Sequence, residues 1–147
     1  MKTIIRSFLL LSLFAWIISA CSKSSGGSGG GGTPPPAAEE NLVIALNPDP
    51  GSTTTPVRST SASYSINVVI QSKMPSLGVE VKWTYKKDSD GSIISSNTSS
   101  PIVATASPVA ITITNLPLNE VGTVEIEVTS RSKPTNKATK SFKLVRK

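Results

Sequence analysis

The chain contains no histidine and a single cysteine among its 147 residues. Without histidine it cannot build a Ser-His-Asp triad or a histidine-ligated metal site. One cysteine cannot close a disulfide within the chain. Aromatic residues make up only 5% of the sequence, so few remain for a sugar-binding platform once a core is filled. These absences predict a non-catalytic protein with no cofactor and no metal site.

The first twenty residues have the three parts of a secretory signal. Lys2 and Arg6 supply a positive region, an apolar region runs from Phe8 to Ile18, and the small residues Ser19 and Ala20 follow. This uncharged stretch is shorter than the roughly 20 residues that a spanning helix needs. We therefore expect residues 1–20 to be a cleaved signal peptide.

The only cysteine, Cys21, follows this leader directly. The run Ile18-Ser19-Ala20-Cys21 resembles the lipobox of bacterial lipoproteins, with isoleucine in place of the commoner leucine. The resemblance implies cleavage before Cys21 and acylation of its sulfur, which would make membrane lipid a partner of the protein. Two or three acyl chains anchor stably, because each buried methylene contributes about 0.8 kcal/mol. The alternative is an ordinary cleaved signal followed by an incidental cysteine.

The residues after Cys21 bear on the membrane that holds it. Lipoproteins retained in the inner membrane commonly carry aspartate at the next position, whereas this chain has Ser22. The resemblance therefore implies an outer-membrane lipoprotein. Surface-exported lipoproteins of some bacteria carry acidic residues there, and the run Ser22-Lys23-Ser24-Ser25 has none, which favours the periplasmic face.

Residues 21–40 are interpreted as the lipidated cysteine and a flexible linker. Ser24 to Gly32 is almost entirely glycine and serine, and Pro34-Pro35-Pro36 follows. Glycine and serine cannot bury apolar surface, and three prolines favour an extended segment. A flexible coil of this length reaches on the order of 25 Å.

Residues 41–147 are predicted to form one small all-β domain. Turn residues interrupt the chain at short intervals, and apolar residues alternate with polar ones within each run. The predicted strands are Leu42 to Leu46, Ala62 to Ile70, Val79 to Lys86, Ser92 to Ser96, Val109 to Thr114, Gly122 to Thr129 and Thr139 to Val145.

Alternation assigns one face of each strand to a core. The predicted inward residues are Tyr64, Ile66, Val68, Ile70, Val79, Val81, Trp83, Tyr85, Ile111, Ile113, Val124, Ile126, Val128, Phe142 and Leu144. Strands with one dry face and one wet face are typical of a two-sheet antiparallel sandwich. Val145 is expected at the surface.

The order of these features resembles immunoglobulin-like domains, in particular PKD-like and related bacterial modules. A tryptophan lies on the third predicted strand in Val81-Lys82-Trp83-Thr84-Tyr85, and a late strand alternates from Gly122 to Val128. The resemblance implies an immunoglobulin-like antiparallel β-sandwich of about seven strands. Two departures are the missing cysteine pair and Thr123 in place of a corner tyrosine.

Charged residues suggest two further features. The sandwich would place Glu125 and Glu127 between strands carrying Lys82 and Lys143, so cross-strand pairs are expected. Seven basic residues without one acid occupy the C-terminal end, at 131, 133, 137, 140, 143, 146 and 147. They could attract anionic lipid or polysaccharide, but lysines that protect a strand edge are the favoured interpretation. Nucleic acid is not expected as a partner in an envelope.

Two short motifs have alternative interpretations. Asp88-Ser89-Asp90-Gly91 is similar to the start of a calcium loop but lacks the later acid, so a hairpin turn is favoured. Asn97-Thr98-Ser99 fits a glycosylation sequon that is incidental in a bacterium.

The sequence predicts a non-catalytic lipoprotein that displays a binding or assembly module in the envelope. Its protein or glycan ligand and its ligand-binding residues are unknown at this stage. The alternatives are a glycan-binding accessory lipoprotein of a polysaccharide-uptake system, which needs an exposed aromatic platform, and a small carboxylate-dependent enzyme, which needs two converging acids.

Overall fold

The computed structural model describes residues 38–51 and 53–147, and these contain nine strands and no helix. The predicted signal peptide, Cys21 and residues 22–37 of the linker lie outside the described residues. In chain order the strands are β1 (Ile44–Asn47), β2 (Val57–Ser59), β3 (Tyr64–Ile70), β4 (Val79–Lys87), β5 (Ile93–Ser96), β6 (Ile102–Ala104), β7 (Val109–Ile113), β8 (Val121–Ser130) and β9 (Lys137–Arg146).

Seven of these strands lie within two residues of the ends that alternation predicts. The other two, β2 and β6, have three residues each. They lie in serine- and threonine-rich segments that favour loops or irregular edge strands, and three residues are too few to show a clear alternation.

The strands form two sheets, with the orders β1-β3-β7 and β2-β9-β8-β4-β5, and β6 also pairs with β4. The predicted all-β sandwich is confirmed, with nine strands where about seven were predicted. One pairing differs from the antiparallel prediction, because β2 runs parallel to β9, with Val57 opposite Leu144. Within the part of the chain that the structure describes, no helix is long and apolar enough to cross a membrane.

Alternation assigned the core faces correctly. The inward side chains are buried, apart from Tyr64, which is half-buried with its ring 6.0 Å from that of Phe142 on the facing sheet. The surface assignment of Val145 is wrong, since this residue is only 3% exposed. Val145 lies on the outer face of β9 in register with Val121 of β8 and Arg58 of β2, so strands flank it on both sides.

Strand directions define two ends of the sandwich. The entry end holds the residues before β1, the loop of residues 71–78, and the β8–β9 turn of residues 131–136. The far end holds the β4–β5 turn of residues 88–92, the loop of residues 114–120 and the C-terminal Lys147. The chain therefore enters the sandwich at one end and finishes at the other.

Candidate functional site

The first candidate site is the entry cluster, which we define as Glu39, Ser130, Ser132 and Asn136. Asn136 is only 6% exposed and lies in the turn between β8 and β9. Its amide Nδ2 donates to Glu39 Oε1 at 2.7 Å and to the Glu40 carbonyl at 2.8 Å, and its Oδ1 accepts from the Leu42 amide at 2.8 Å. One side chain therefore holds the segment that leads into the domain.

Glu39 is held in the entry cluster from two sides. Its carboxylate accepts hydrogen bonds from the Ser132 hydroxyl and from Asn136. Hydrogen bonds from Ser132 and then Ser130 lower the pKa of Glu39 below its usual range, burial opposes this, and Asn136 and the charge of Lys133 add to the lowering. The start of the domain at Asn41 stays a prediction. Glu39, two residues earlier, already contacts the domain directly.

The turn beneath Glu39 is held by its own polar groups. The Ser130 hydroxyl accepts from the Lys133 amide at 3.0 Å, and the Ser130 amide donates to the Asn136 carbonyl at 3.0 Å. The run Ser130-Arg131-Ser132-Lys133 has the S-x-x-K spacing of some serine hydrolases. Because Ser130 is fully buried and its hydroxyl caps the turn, this spacing serves the structure of the turn.

The second candidate site is the far-end triad, which we define as Asp88, Thr123 and Lys143. Asp88 Oδ1 accepts from Thr123 Oγ1 and Asp88 Oδ2 pairs with Lys143 Nζ, each at 2.7 Å. Lys143 Nζ also donates to Thr123 Oγ1 at 2.7 Å. Partial burial would raise the pKa of Asp88, but hydrogen bonds from Lys143 and Thr123 and the charge of Lys143 outweigh it and lower that pKa.

The turn interpretation of Asp88-Ser89-Asp90-Gly91 is confirmed. The Gly91 amide donates to the Lys87 carbonyl at 2.9 Å, and Gly91 has a φ of 73°, which a glycine adopts without strain. Asp90 Oδ1 accepts from both the amide and the hydroxyl of Ser92. The two carboxylates therefore face different partners. In residues 38–51 and 53–147, no group of three or more acidic, histidine or cysteine side chains is placed to hold a metal ion.

Asn97 has a structural role that the sequence reasoning missed. β5 pairs with β4 from Thr84 onward and β6 pairs with it up to Val81, which leaves a gap in the edge between them. Asn97 fills this gap, because its Oδ1 accepts from the Trp83 amide at 2.6 Å and its Nδ2 donates to the Val81 carbonyl at 3.1 Å. Its amide is therefore engaged within the sheet.

The expected cross-strand ion pairs of Glu125 with its neighbours are wrong. β8 does lie between β4 and β9, but Glu125 is in register with Thr84 and Ser141. Among the described residues, Glu125 makes no ion pair within 4 Å. Lys82 pairs instead with Glu80 at 2.7 Å along its own strand, and Lys143 belongs to the far-end triad.

Carboxylates on the outer face of the larger sheet are the nearest match to an enzyme site. Glu125 and Glu127 both line a small open depression of about 140 Å³. Glu127 is ion-paired with Lys137 at 3.3 Å and lies in register with Lys82. The two acids are therefore neighbours on a flat, charged face.

The C-terminal basic residues do not form one patch. Lys137, Lys143 and Arg146 contact Glu127, Asp88 and the Leu116 carbonyl respectively. Lys137 and Lys140 lie on the part of β9 that precedes its pairing with β2. This placement agrees with lysines that protect a strand edge.

Aromatic side chains lie mainly inside the sandwich. Trp83 is 6% exposed, Tyr85 and Phe142 are fully buried, and the half-buried Tyr64 packs against Phe142 with its ring tilted by 56°. Tyr85 also directs its hydroxyl to the Glu120 and Leu144 carbonyls, each at 3.4 Å. Core packing is thus confirmed for Trp83 and Tyr85.

No protein-family model and no curated protein matches the chain.

Proposed function

We propose that the chain is a non-catalytic lipoprotein of the bacterial envelope, which displays its immunoglobulin-like domain on a lipid-anchored tether. The observation that carries this proposal is the run Ile18-Ser19-Ala20-Cys21 after a basic and apolar leader. Acylation of Cys21 would join the chain to membrane lipid, and Ser22 favours the outer membrane.

The entry cluster supports the display role. Asn136 and Glu39 hold the incoming chain against the β8–β9 turn, so a tether would pull on the entry end of the sandwich. The ten residues of β8 run from the far end to the entry end and span roughly 33 Å. In an anchored protein, the turn of residues 88–92 and the loop of residues 114–120 would face away from the bilayer.

We propose binding or assembly rather than glycan binding or catalysis, because the described residues give those alternatives little support. Trp83, Tyr85 and Phe142 are buried in the core, so these rings are not available as a sugar platform. Asp88 is bound to Thr123 and Lys143, which gives it a structural role in joining β4, β8 and β9.

Metabolic labelling with a clickable fatty acid tests the anchor. Cells expressing the full chain should yield a labelled protein, and the C21S variant should lose the label. The S22A variant is the matched control, because it changes a neighbouring residue and leaves the sulfur in place. An unlabelled wild-type protein would refute the lipid anchor.

Protease treatment tests the membrane face. In intact cells the periplasmic proposal predicts that the domain survives added protease and is degraded only after the outer membrane is permeabilised. Degradation in intact cells would place the domain on the cell surface instead. A search for bound saccharides with a glycan array tests the alternative role, since saturable binding to one polysaccharide would support the uptake-system function.

A further inference from the structure

An open depression of about 400 Å³ lies on the outer face of the larger sheet, close to the entry end. Its lining comes from β4, β8, β9 and the β8–β9 turn and includes Glu80, Lys82, Thr129, Arg131, Pro134 and Lys137. We call it the basic depression, because three of its lining residues are cations and one is an acid. A hollow of this volume is large enough for a small molecule.

The sheet register places the three cations of the basic depression around one hydroxyl group. Glu80 of β4, Thr129 of β8 and Lys137 of β9 lie side by side in one row across the sheet. Lys82 follows Glu80 on β4, and Arg131 follows Thr129 just beyond the end of β8. β4 and β9 are roughly 10 Å apart with β8 between them. Positive charge therefore approaches the Thr129 position from both neighbouring strands and from the turn.

Each of the three cations keeps hydrogen-bond donors for a ligand. Within residues 38–51 and 53–147 each has one polar partner, which is Glu80 at 2.7 Å for Lys82, Glu127 at 3.3 Å for Lys137 and the Leu77 carbonyl at 3.3 Å for Arg131. A lysine has three N–H donors and an arginine has five, so donors remain on every side. Even with Glu127 included, three cations face two acids, and a net positive charge remains.

Other hollows and cations of the described domain do not have this arrangement. The adjacent depression of about 140 Å³ sets one lysine against two glutamates, and so does the hollow between the entry segment and residues 73–76. Lys143 is bound between Asp88 and Thr123, and Arg58 and Lys86 lie three strands apart on β2 and β4. The basic depression differs from these because it combines a hollow with cations from three sides.

We propose that the basic depression binds a terminal phosphate group, carried by a small soluble molecule or by a lipid headgroup. Such a group has a charge of about −1.5 to −2 at pH 7 and three strong acceptor oxygens, which suits three cations that approach from different sides. A carboxylate has one charge and two oxygens. Lysine and arginine are also the side chains that bind phosphate most often. This inference does not depend on acylation of Cys21, and it needs no aromatic platform.

Equilibrium dialysis of glycerol phosphate against the full chain in neutral detergent tests the site. The wild type should bind it saturably at low salt. R131Q and K82Q should each weaken the affinity about tenfold, which corresponds to about 1.4 kcal/mol, because each removes a charge-assisted hydrogen bond. E80Q should strengthen binding, since it removes the acid that competes for Lys82.

Two matched variants separate a site from diffuse attraction. K133Q removes the same charge from the same turn as Arg131, and K86Q removes it from the same strand and face as Lys82, but neither residue lines the depression. Both should keep the affinity of the wild type. The melting temperature of each variant shows whether the domain is folded. Equal losses in K133Q and R131Q, or no saturable binding by the wild type, would overturn the proposal.

Related probes identify the ligand chemistry. Glycerol, which lacks the phosphate, should not bind, and glycerate, which carries a carboxylate instead, should bind about tenfold more weakly. Equal affinity for glycerate would overturn the assignment to phosphate.

The source of the phosphate is distinguished by dihexanoyl phosphatidic acid, the short-chain diacyl form of glycerol phosphate. Tighter binding of this lipid that is lost in R131Q would support the site and assign it to a lipid headgroup. Tighter binding of glycerol phosphate would support the site and assign it to a soluble ligand.

Discussion

Gly122 lies so close to Tyr85 that a methyl group on Gly122 would sit 2.7 Å from the Cζ atom of the Tyr85 ring. The two residues belong to neighbouring strands, with Gly122 at the start of β8 and Tyr85 near the end of β4. Tyr85 is fully buried and directs its hydroxyl to the Glu120 and Leu144 carbonyls. The glycine therefore makes the space that the tyrosine ring occupies.

Gly122→Ala should destabilise the domain. The new methyl group would meet the Tyr85 ring and the Lys86 carbonyl, and overpacking of this kind costs about 1–3 kcal/mol. Chemical denaturation measures the loss, and T139A serves as a control on an exposed strand position. A stability equal to that of the wild type would contradict the close contact.

Asn97→Ala should cost about 1–3 kcal/mol in unfolding free energy, because it leaves the Trp83 amide and the Val81 carbonyl without partners. Asn97→Asp should cost less than alanine, since it keeps an acceptor for Trp83. Thermal denaturation of both variants beside T98A checks the order. If alanine and aspartate behave like T98A, the amide does not hold the edge.

Asn136→Ala should destabilise the domain and loosen the chain before β1. It removes the hydrogen bonds to Glu39, Glu40 and Leu42. Hydrogen exchange should show faster exchange at the Leu42 amide, while S132A should have a smaller effect because it removes one bond to Glu39. Unchanged exchange at Leu42 in N136A would contradict the role of the entry cluster.

The far-end triad predicts a dependence of stability on pH. The pKa of Asp88 is lowered in the folded state from its ordinary value of 3.8, so its contribution is present above that value and is lost as pH falls through the folded-state pKa. D88N should cost up to about 1 kcal/mol at pH 7. Its deficit relative to the wild type should vanish in strong acid. Denaturation at pH 7 and below pH 3 compares the two, and a deficit that persists in acid would contradict the titration.

Charge reversal should separate the two glutamates of β8. E127K would lose the ion pair with Lys137, and the new lysine would lie close to the two existing cations Lys82 and Lys137. It should therefore lower the free energy of unfolding by up to about 1 kcal/mol. E125K should have a smaller effect, because Glu125 lies opposite Thr84 and Ser141. Melting temperatures in low salt check this order. A larger fall in melting temperature for E125K than for E127K would instead support the cross-strand ion pairs of Glu125 that strand alternation suggested.

Much of the fold follows from local alternation. The inward residues of β4, such as Val81 and Trp83, can be assigned because a strand side chain has only two directions. Pairing between distant strands is not a local property. The parallel contact between β2 and β9 joins residues near position 58 to residues near position 145, and it is this contact that encloses Val145.

Within the candidate sites too, features with a local sequence signature could be predicted and features that depend on distant residues could not. The turn at Asp88 to Gly91 has a local signature and could be predicted. The roles of Asn97 and Asn136 depend on bonds to residues far along the chain, with Asn136 separated from Glu39 by 97 positions. No periodicity within either segment reveals them. Acylation of Cys21 is predicted only from the leader sequence that precedes it.

The parallel contact between β2 and β9 has a mechanical consequence. The chain enters at one end and Lys147 lies at the other, where its amide donates to the Ser59 carbonyl at 2.9 Å. Tension applied between the residues before β1 and Lys147 would load the pairing of β1 with β3 and that of β2 with β9 along the length of the strands. Hydrogen bonds loaded in shear must break together rather than one after another, so the domain would resist force applied between its two ends.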